Sequence, residues 1–362
     1  MNTLPLRVGI IGDTKSGGYG HKLHAGFKAC KAVELIAVAD EDPVGLRATA
    51  LDLGNLERFT SYQAMLNNVD LDAVVVAPRD VQRHEEYVMA SLDAGCSVYC
   101  EKPFTQDLAQ ADRLLAFAEK RGLTLAVALP GGHEPRFLDV LKRIRENEIG
   151  KVLSVRGLCK WDTRGGGEDA LVLGLHLVDL SRRILGEARS VFAHVSQRQS
   201  AITKSDARLG GEGVGLVAGD AFLAVVTHKS GIVSTLESYK CEIEDRSLQP
   251  YRLEIIGTNG TIIHRAPYAD GSTWINENSS PHPNDAGWKR IAYKKDDYLS
   301  HHTRAAYDFV YSVRNNQVPM TSGKDGMLDL EIIHAAYISA LKNQVVSLPL
   351  ENREHPLANV GT

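Results

Sequence analysis

Glu101-Lys102-Pro103 closes a strand-like run, Cys96-Ser97-Val98-Tyr99-Cys100. Ligands of open α/β sheets bind at the carboxyl ends of the strands, where this lysine would stand. Its ammonium can donate to a substrate hydroxyl and offset developing alkoxide charge. A Lys-Pro pair after a strand also reads as a plain turn, so context decides. A second candidate, His176, lies in the apolar run Gly174-Leu175-His176-Leu177-Val178-Asp179-Leu180, and histidine is the side chain whose charge is most readily tuned around neutrality. On a 3.6-residue period Asp169, Val172, His176, Asp179 and Arg183 share one stripe. Polar groups on such an apolar helix must find partners or face a cleft. Two plainer readings compete: Asp179 and Arg183 as an i,i+4 pair, and Asp169 as a cap after Gly165-Gly166-Gly167.

Positioning such groups takes a scaffold, and residues 6–128 read as one. Leu6–Ile11, Glu34–Ala39, Ala73–Ala77, Val98–Cys100 and Thr124–Ala128 are short apolar strands. Helical spacing lies between them at Tyr19–Ala32, Pro43–Leu53, Ser61–Asn68, His84–Ala94 and Leu108–Arg121. Continuous apolar strands between amphipathic helices predict a doubly wound parallel sheet. The first turn, Gly9 to His21, is glycine-rich but lacks the strict G-x-G-x-x-G spacing. Gly12, Asp13, Thr14, Gly17, Gly18 and Tyr19 are its candidate dinucleotide contacts. Asp40 ends the second strand, where a carboxylate accepts from a ribose diol. Glu41 and Asp42 add negative charge, with no adjacent arginine, which favours NAD over NADP. Asp40 to Pro43 also reads as a helix start.

After residue 128 the pattern changes. Pro135–Asn147 and Ala170–Leu185 are predicted helices, and Val152–Cys159 a strand. Val191–Val195, Ala221–His228, Gly231–Ser238 and Leu253–Ile263 alternate, as in an antiparallel sheet with one exposed face. Helices at Thr303–Arg314 and Met327–Leu341 close the chain. The expected division is therefore 1–128, 129–350 and a polar tail, 351–362, expected to be loose or an arm.

Composition agrees with a globular protein of 362 residues, 43% apolar and 24% charged. A net charge of −4 offers no global field for nucleic acid or anionic lipid, and Lys294-Lys295-Asp296-Asp297 cancels itself. Five cysteines without CxxC spacing predict reduced thiols, and no apolar stretch approaches a bilayer span. No signal-peptide core follows Met1, so a cytoplasmic location is expected. No metal-ligand spacing appears, and no metal is expected.

With these pieces placed, the chain resembles the glucose–fructose oxidoreductase / inositol dehydrogenase (Gfo/Idh/MocA-type) family, as a divergent member. The likeness runs through Val38-Ala39-Asp40, Val74 to Pro78 with His84 and Ala94-Gly95, Cys100 to Pro103, Ile149-Gly150, Leu253 to Thr261, and Gly323 to Gly326. The resemblance implies a Rossmann domain joined to an α/β domain with a large open sheet. It implies NAD (NADP is the alternative) bound with Pro78, His84, Glu101 and Lys102 on the nicotinamide side. It also implies hydride transfer with a sugar, cyclitol or related polyol, and a homodimer or homotetramer through the open sheet. Lys102 would hold the reacting hydroxyl and His176 take its proton.

Two departures stand out. The family's aspartate four residues before the histidine is Val172 here, and its Asn-x-Arg motif is replaced by Pro130-Gly131-Gly132-His133. Glu168 or Asp169 is the candidate substitute that orients His176 or accepts a proton. Trp161, Asp162, Arg164, His133 and Asp179 are candidate substrate contacts; a core tryptophan beside a surface ion pair is the plainer reading. Two other functions stay open: transient sugar oxidation by a retained cofactor that assists elimination or glycosidic cleavage, and a non-catalytic NAD sensor.

Overall fold

Six short strands, most of them buried on both faces, build the first sheet. The computed structural model describes residues 4–54, 56–242, 249–265, 271–277, 287–293 and 298–358. The charged run Lys294–Asp297 lies outside them. In chain order come β1 (Leu6–Ile11), α1 (Leu23–Ala29), β2 (Val33–Ala39), α2 (Pro43–Leu53), β3 (Glu57–Phe59), α3 (Tyr62–Asn68), β4 (Ala73–Val76), α4 (His84–Asp93), β5 (Ser97–Cys100), α5 (Leu108–Arg121) and β6 (Leu125–Val127). All pairings are parallel, in the order β3-β2-β1-β4-β5-β6. The helices start where the chain supplies caps: Asp42, Ser61 and Asp107 accept from the first-turn amides of α2, α3 and α5.

A second sheet follows α6 (Pro135–Arg145), β7 (Val152–Leu158), α7 (Gly167–Asp169) and α8 (Leu175–Leu185). Its other strands are β8 (Ala188–Gln197), β9 (Ser200–Ala201), β12 (Ala221–His228), β13 (Val233–Tyr239), β14 (Arg252–Gly257), β15 (Thr261–Arg265), β16 (Thr273–Asn276), β17 (Trp288–Ile291) and β18 (Val346–Ser347). A separate small hairpin pairs β10 (Arg208–Leu209) with β11 (Leu216–Val217). The large sheet runs β17-β16-β15-β14-β7-β13-β12-β8-β18, with β9 on β8; among the described residues only the β7–β13 pairing is parallel. β12 and β13 alternate buried and half-buried residues, as a sheet with one covered face requires. The run Leu253–Ile263, read from sequence as one segment, is the hairpin β14–β15, because Thr258-Asn259-Gly260 turns the chain.

The long helices α9 (Tyr298–Asn315) and α10 (Gly323–Lys342) close the chain. Contacts divide it into two units. The first comprises Met1–His133, Gly210–Gly215 and Asp296–Leu328; the second comprises Glu134–Leu209, Leu216–Lys295 and Asp329–Thr362. The first unit thus reaches past a cut at 128/129 and takes in two later segments. One reason is visible in its core: Phe309 of α9 stacks edge-on with Phe27 and Tyr99. The tail is fastened through Ala358 rather than loose. Arg353 pairs with Glu331 at 2.6 Å, Lys204 Nζ donates to the Ala358 carbonyl, and His355 packs edge-on against His334.

Candidate active site

In the first sheet the strand order reverses between β1 and β4, and ligands bind such a sheet at that crevice. The turn after β1 is longer than a minimal dinucleotide loop and folds on itself. Asp13 and Gly18 exchange two main-chain hydrogen bonds, of 3.1 and 2.6 Å. The Asp13 carboxylate accepts from the Lys15 and Ser16 amides. Burial raises the Asp13 pKa, those amides oppose it, and the charges of Asp40 and Glu41 add to the rise. Tyr19 lies over Gly12, where a Cβ would come within 2.3 Å of the ring. Gly20, at φ +59°, brings the backbone close to the Ala77 carbonyl and the Glu101 carboxylate.

Asp40, at the end of β2, is buried and accepts from the Thr14 amide and hydroxyl and from the Asp42 amide. This carboxylate beside a glycine turn suits a ribose diol, and the Asp13, Asp40 and Glu41 charges oppose a 2′-phosphate. The residues present therefore fit NAD. Arg83 does reach Glu41, at 3.4 Å, from the start of α4; the linear sequence hides this arginine.

Lys102 follows β5 and is buried, 3% exposed. Glu101 beside it accepts from the His21 amide at 3.3 Å, from His21 Nδ1 at 3.0 Å and from the Lys102 amide at 3.1 Å. Burial alone would raise the Glu101 pKa. The charge and hydrogen bond of His21, then the charges of Lys102 and His302, reverse that and hold it well below the usual carboxylate range. His84 is fully buried, with Nδ1 2.9 Å from the Pro103 carbonyl and Nε2 2.7 Å from that of Pro78. It ties the turn after β4 to the segment carrying Lys102. His133 lies in a 3-10 turn after β6 and meets Asp308 at 3.1 Å.

The second unit holds the other candidates. Every residue from Gly165 to Ser181 is buried except His176. Residues Ala170–Gly174 form a π-helical turn ahead of α8, so the uninterrupted 3.6-residue stripe does not extend back to Asp169. One Asp169 oxygen accepts from the Lys160 amide at 3.0 Å, the Trp161 amide at 3.3 Å and the Ser238 hydroxyl at 2.9 Å. These bonds hold Trp161 in a left-handed conformation, φ +56°. Burial raises the Asp169 pKa against the pull of Ser238. Glu168 pairs with Arg208 at 2.9 Å.

The Trp161 indole donates to the Glu237 carbonyl, and its ring meets Tyr239 edge-on. Arg164 clasps Asp162 with its side chain and amide. With the Lys160 charge this outweighs burial and brings Asp162 to about 2. Asp179 and Arg183 form a two-pronged i,i+4 pair at 2.8 and 2.9 Å. The structure thus gathers Trp161, Asp162, Arg164 and Asp169 around one turn. Sequence reasoning missed His21 and Ser238 as supports. For His21 a signal existed, its place at the end of the glycine-rich turn. For Ser238, distant in sequence, there was none.

Among the described residues no three His, Cys, Asp or Glu side chains are arranged to hold a metal ion, and no helix is long and apolar enough to cross a membrane. All five cysteines are free thiols.

Comparison with known proteins gives two domain matches. Residues 6–129 match the oxidoreductase family's NAD-binding Rossmann fold, and residues 142–348 its C-terminal alpha/beta domain. D-apiose dehydrogenase of Paraburkholderia graminis is 26% identical, over 92% of this chain and 88% of its own. Myo-inositol 2-dehydrogenase of Thermotoga maritima is 25% identical, over 95% and 98%. The structure of levoglucosan dehydrogenase in complex with NADH and levoglucosan shares the fold. Its TM-score is 0.77 at 20% identity, covering 96% of this chain and all of that one.

Proposed function

We propose, on the premise that this chain belongs to the Gfo/Idh/MocA oxidoreductase family, that it transfers a hydride between NAD and a secondary hydroxyl or ketone of a sugar, cyclitol or sugar derivative. The observation that carries the proposal is Lys102 at the carboxyl end of β5, buried beside a Glu101 that His21 holds ionised. Bound NAD supplies the hydride acceptor. Lys102 donates to the reacting hydroxyl and stabilises alkoxide charge as it develops. His176, alone in its segment in not being buried, takes the hydroxyl proton. Trp161 offers a ring face to the substrate's C–H side, with Asp162 and Arg164 beside it and Asp179 and His133 as further contacts. Glu168 and Asp169 act as supports, of Arg208 and of the Trp161 turn.

Relatives named as sugar and inositol dehydrogenases favour net oxidation or reduction over a retained-cofactor elimination or a sensor. The proposal extends to the cytoplasm and to a homodimer or homotetramer. The half-buried face of the large sheet, with Leu153 at 55% and Phe192 at 42% exposed, supports such a pairing. The test is a screen of pentoses, hexoses, cyclitols and sugar acids with NAD and NADP, following absorbance of the reduced nicotinamide. Reduction of NAD by at least one polyol is expected. No reduction with any of them would remove the proposal.

A further inference from the structure

The turn between Asp13 and Gly18 is a closed tab, and it is fastened across the crevice where the strand order reverses. The paired Asp13–Gly18 bonds and the Asp13 carboxylate make it internally rigid. Gly17 at φ +96° and Gly18 at +63° close its turn, and glycines bracket it, Gly12 before and Gly20 at φ +59° after. Such residues give a rigid tab places to swing. β1 leads into the tab and β4 into the turn Pro78-Arg79-Asp80-Val81, and these strands are neighbours in the sheet. Ser16 Oγ donates to Asp80 Oδ2 at 2.5 Å, and the Arg79 amide and Nε donate to the Gly17 carbonyl at 3.4 and 3.3 Å. Gly17 fits so closely that a Cβ would come 2.4 Å from the Arg79 nitrogen.

The far side of that turn is held by Gly210–Gly215, a segment of the same unit. Glu212 pairs with Arg79 at 3.4 Å, and the Val81 amide donates to the Gly213 carbonyl at 2.9 Å. Gly213 sits close enough that a Cβ would come 2.9 Å from Asp80 Cα. Neither the bonds of the tab nor those of the brace serve the chemistry at Lys102. They join the two lips of the crevice.

We propose that residues 13–18 form a clasp that closes over the bound dinucleotide, latched by Ser16 on Asp80 and braced through Arg79 by Glu212, so that cofactor exchange waits on its opening. The clasp rests on the NAD-binding reading. A dinucleotide must pass the clasp both on entering and on leaving. Unlatching it therefore raises the association and the dissociation rate together, whereas loss of an ordinary ligand contact raises dissociation alone.

The test is stopped-flow NADH binding and displacement, read by nicotinamide fluorescence, on wild type, Ser16→Ala, Asp80→Asn and Glu212→Gln. Ser16→Ala removes a hydrogen bond to a carboxylate from a half-buried loop, so both rates should rise about tenfold or more. Asp80→Asn keeps an acceptor oxygen and should give a smaller rise. Glu212→Gln, which loosens only the brace on Arg79 and leaves the Ser16–Asp80 latch in place, should move both rates in the same direction. The three variants sit at separate points, so the clasp can be judged even where one of them folds poorly. Wild-type rates in all variants, or faster dissociation with unchanged association, would overturn the clasp alone. Wild type that binds neither NADH nor NADPH would overturn the cofactor reading and the clasp with it.

Discussion

His21 Nδ1 lies 3.0 Å from Glu101 Oε1, so the end of the glycine-rich turn is fastened to the residue that precedes Lys102. The backbone amide of His21 takes the other carboxylate oxygen. Glu101 is thereby held ionised and fixed in a place with almost no solvent. A lysine that must meet a hydroxyl within hydrogen-bond reach depends on such fixing.

His21→Ala should therefore lower kcat/KM by about 10- to 100-fold, the usual weight of a hydrogen bond to a charged group. His21→Asn can offer an amide near the Nδ1 position and should recover most of the loss. Thermal melting would show whether the fold is intact. Equal activity in wild type and His21→Ala would separate His21 from Lys102.

Lys102→Met and His176→Phe should each cut kcat by about 100- to 10,000-fold while leaving NADH binding within a few-fold of wild type. Isothermal titration with NADH supplies the second reading. Loss of NADH binding in Lys102→Met, with turnover lost only in proportion, would assign the lysine to the cofactor instead.

Asp169 separates support from catalysis. Its one bonded oxygen accepts from two amides and a hydroxyl, and an asparagine carbonyl can do the same. Asp169→Asn should fold and keep most turnover. Asp169→Ala leaves the half-buried Lys160 and Trp161 amides and the buried Ser238 hydroxyl without their acceptor and should cost about 1–3 kcal/mol, measured by urea unfolding. The pH response carries a sign: a buried acid with a raised pKa favours the fold less as pH rises through its titration. Asp169→Asn should remove that component. If it abolished turnover in a folded protein, Asp169 would be the proton acceptor after all.

Much of this was legible in the chain because local rules and tertiary packing agree. The valines of β4 can only be a buried strand, and Asp107 with Gly122 brackets α5 at both ends. Strand β3 escaped notice because Glu57-Arg58-Phe59 has no apolar run; it is an edge strand paired only with β2. The π-helical turn at Ala170–Gly174 also escaped, since a 3.6-residue count assumes the regularity it breaks. So did the return of 210–215 and α9 to the first unit. Such contacts join residues far apart in sequence, and no spacing rule records them. The clamp of Asp169 on the Trp161 turn is hidden for the same reason, because Ser238 lies on another strand.

His334 gives the last prediction. It is fully buried on α10, neither ring nitrogen makes a hydrogen bond, and the groups facing it are His355 and Arg353, the latter paired with Glu331. Burial, then the charges of His355 and Arg353, push its pKa well below 6.5. Burial likewise takes His355 and His302 to about 4. In the unfolded chain all three take up protons near 6.5, so the unfolded state binds more protons between that value and the folded pKa. Stability is therefore full above pH 6.5 and falls as acid is added. Each histidine contributes a slope of about 1.4 kcal/mol per pH unit inside its window. The lowered pKa values of Glu101 and Asp162 extend the loss below pH 4.5. His334→Phe keeps the ring packing against His355 and removes one proton from this balance. Thermal scans at pH 7 and pH 4.5 should show a smaller drop for the variant than for wild type. Identical drops would mean that His334 is already protonated in the fold.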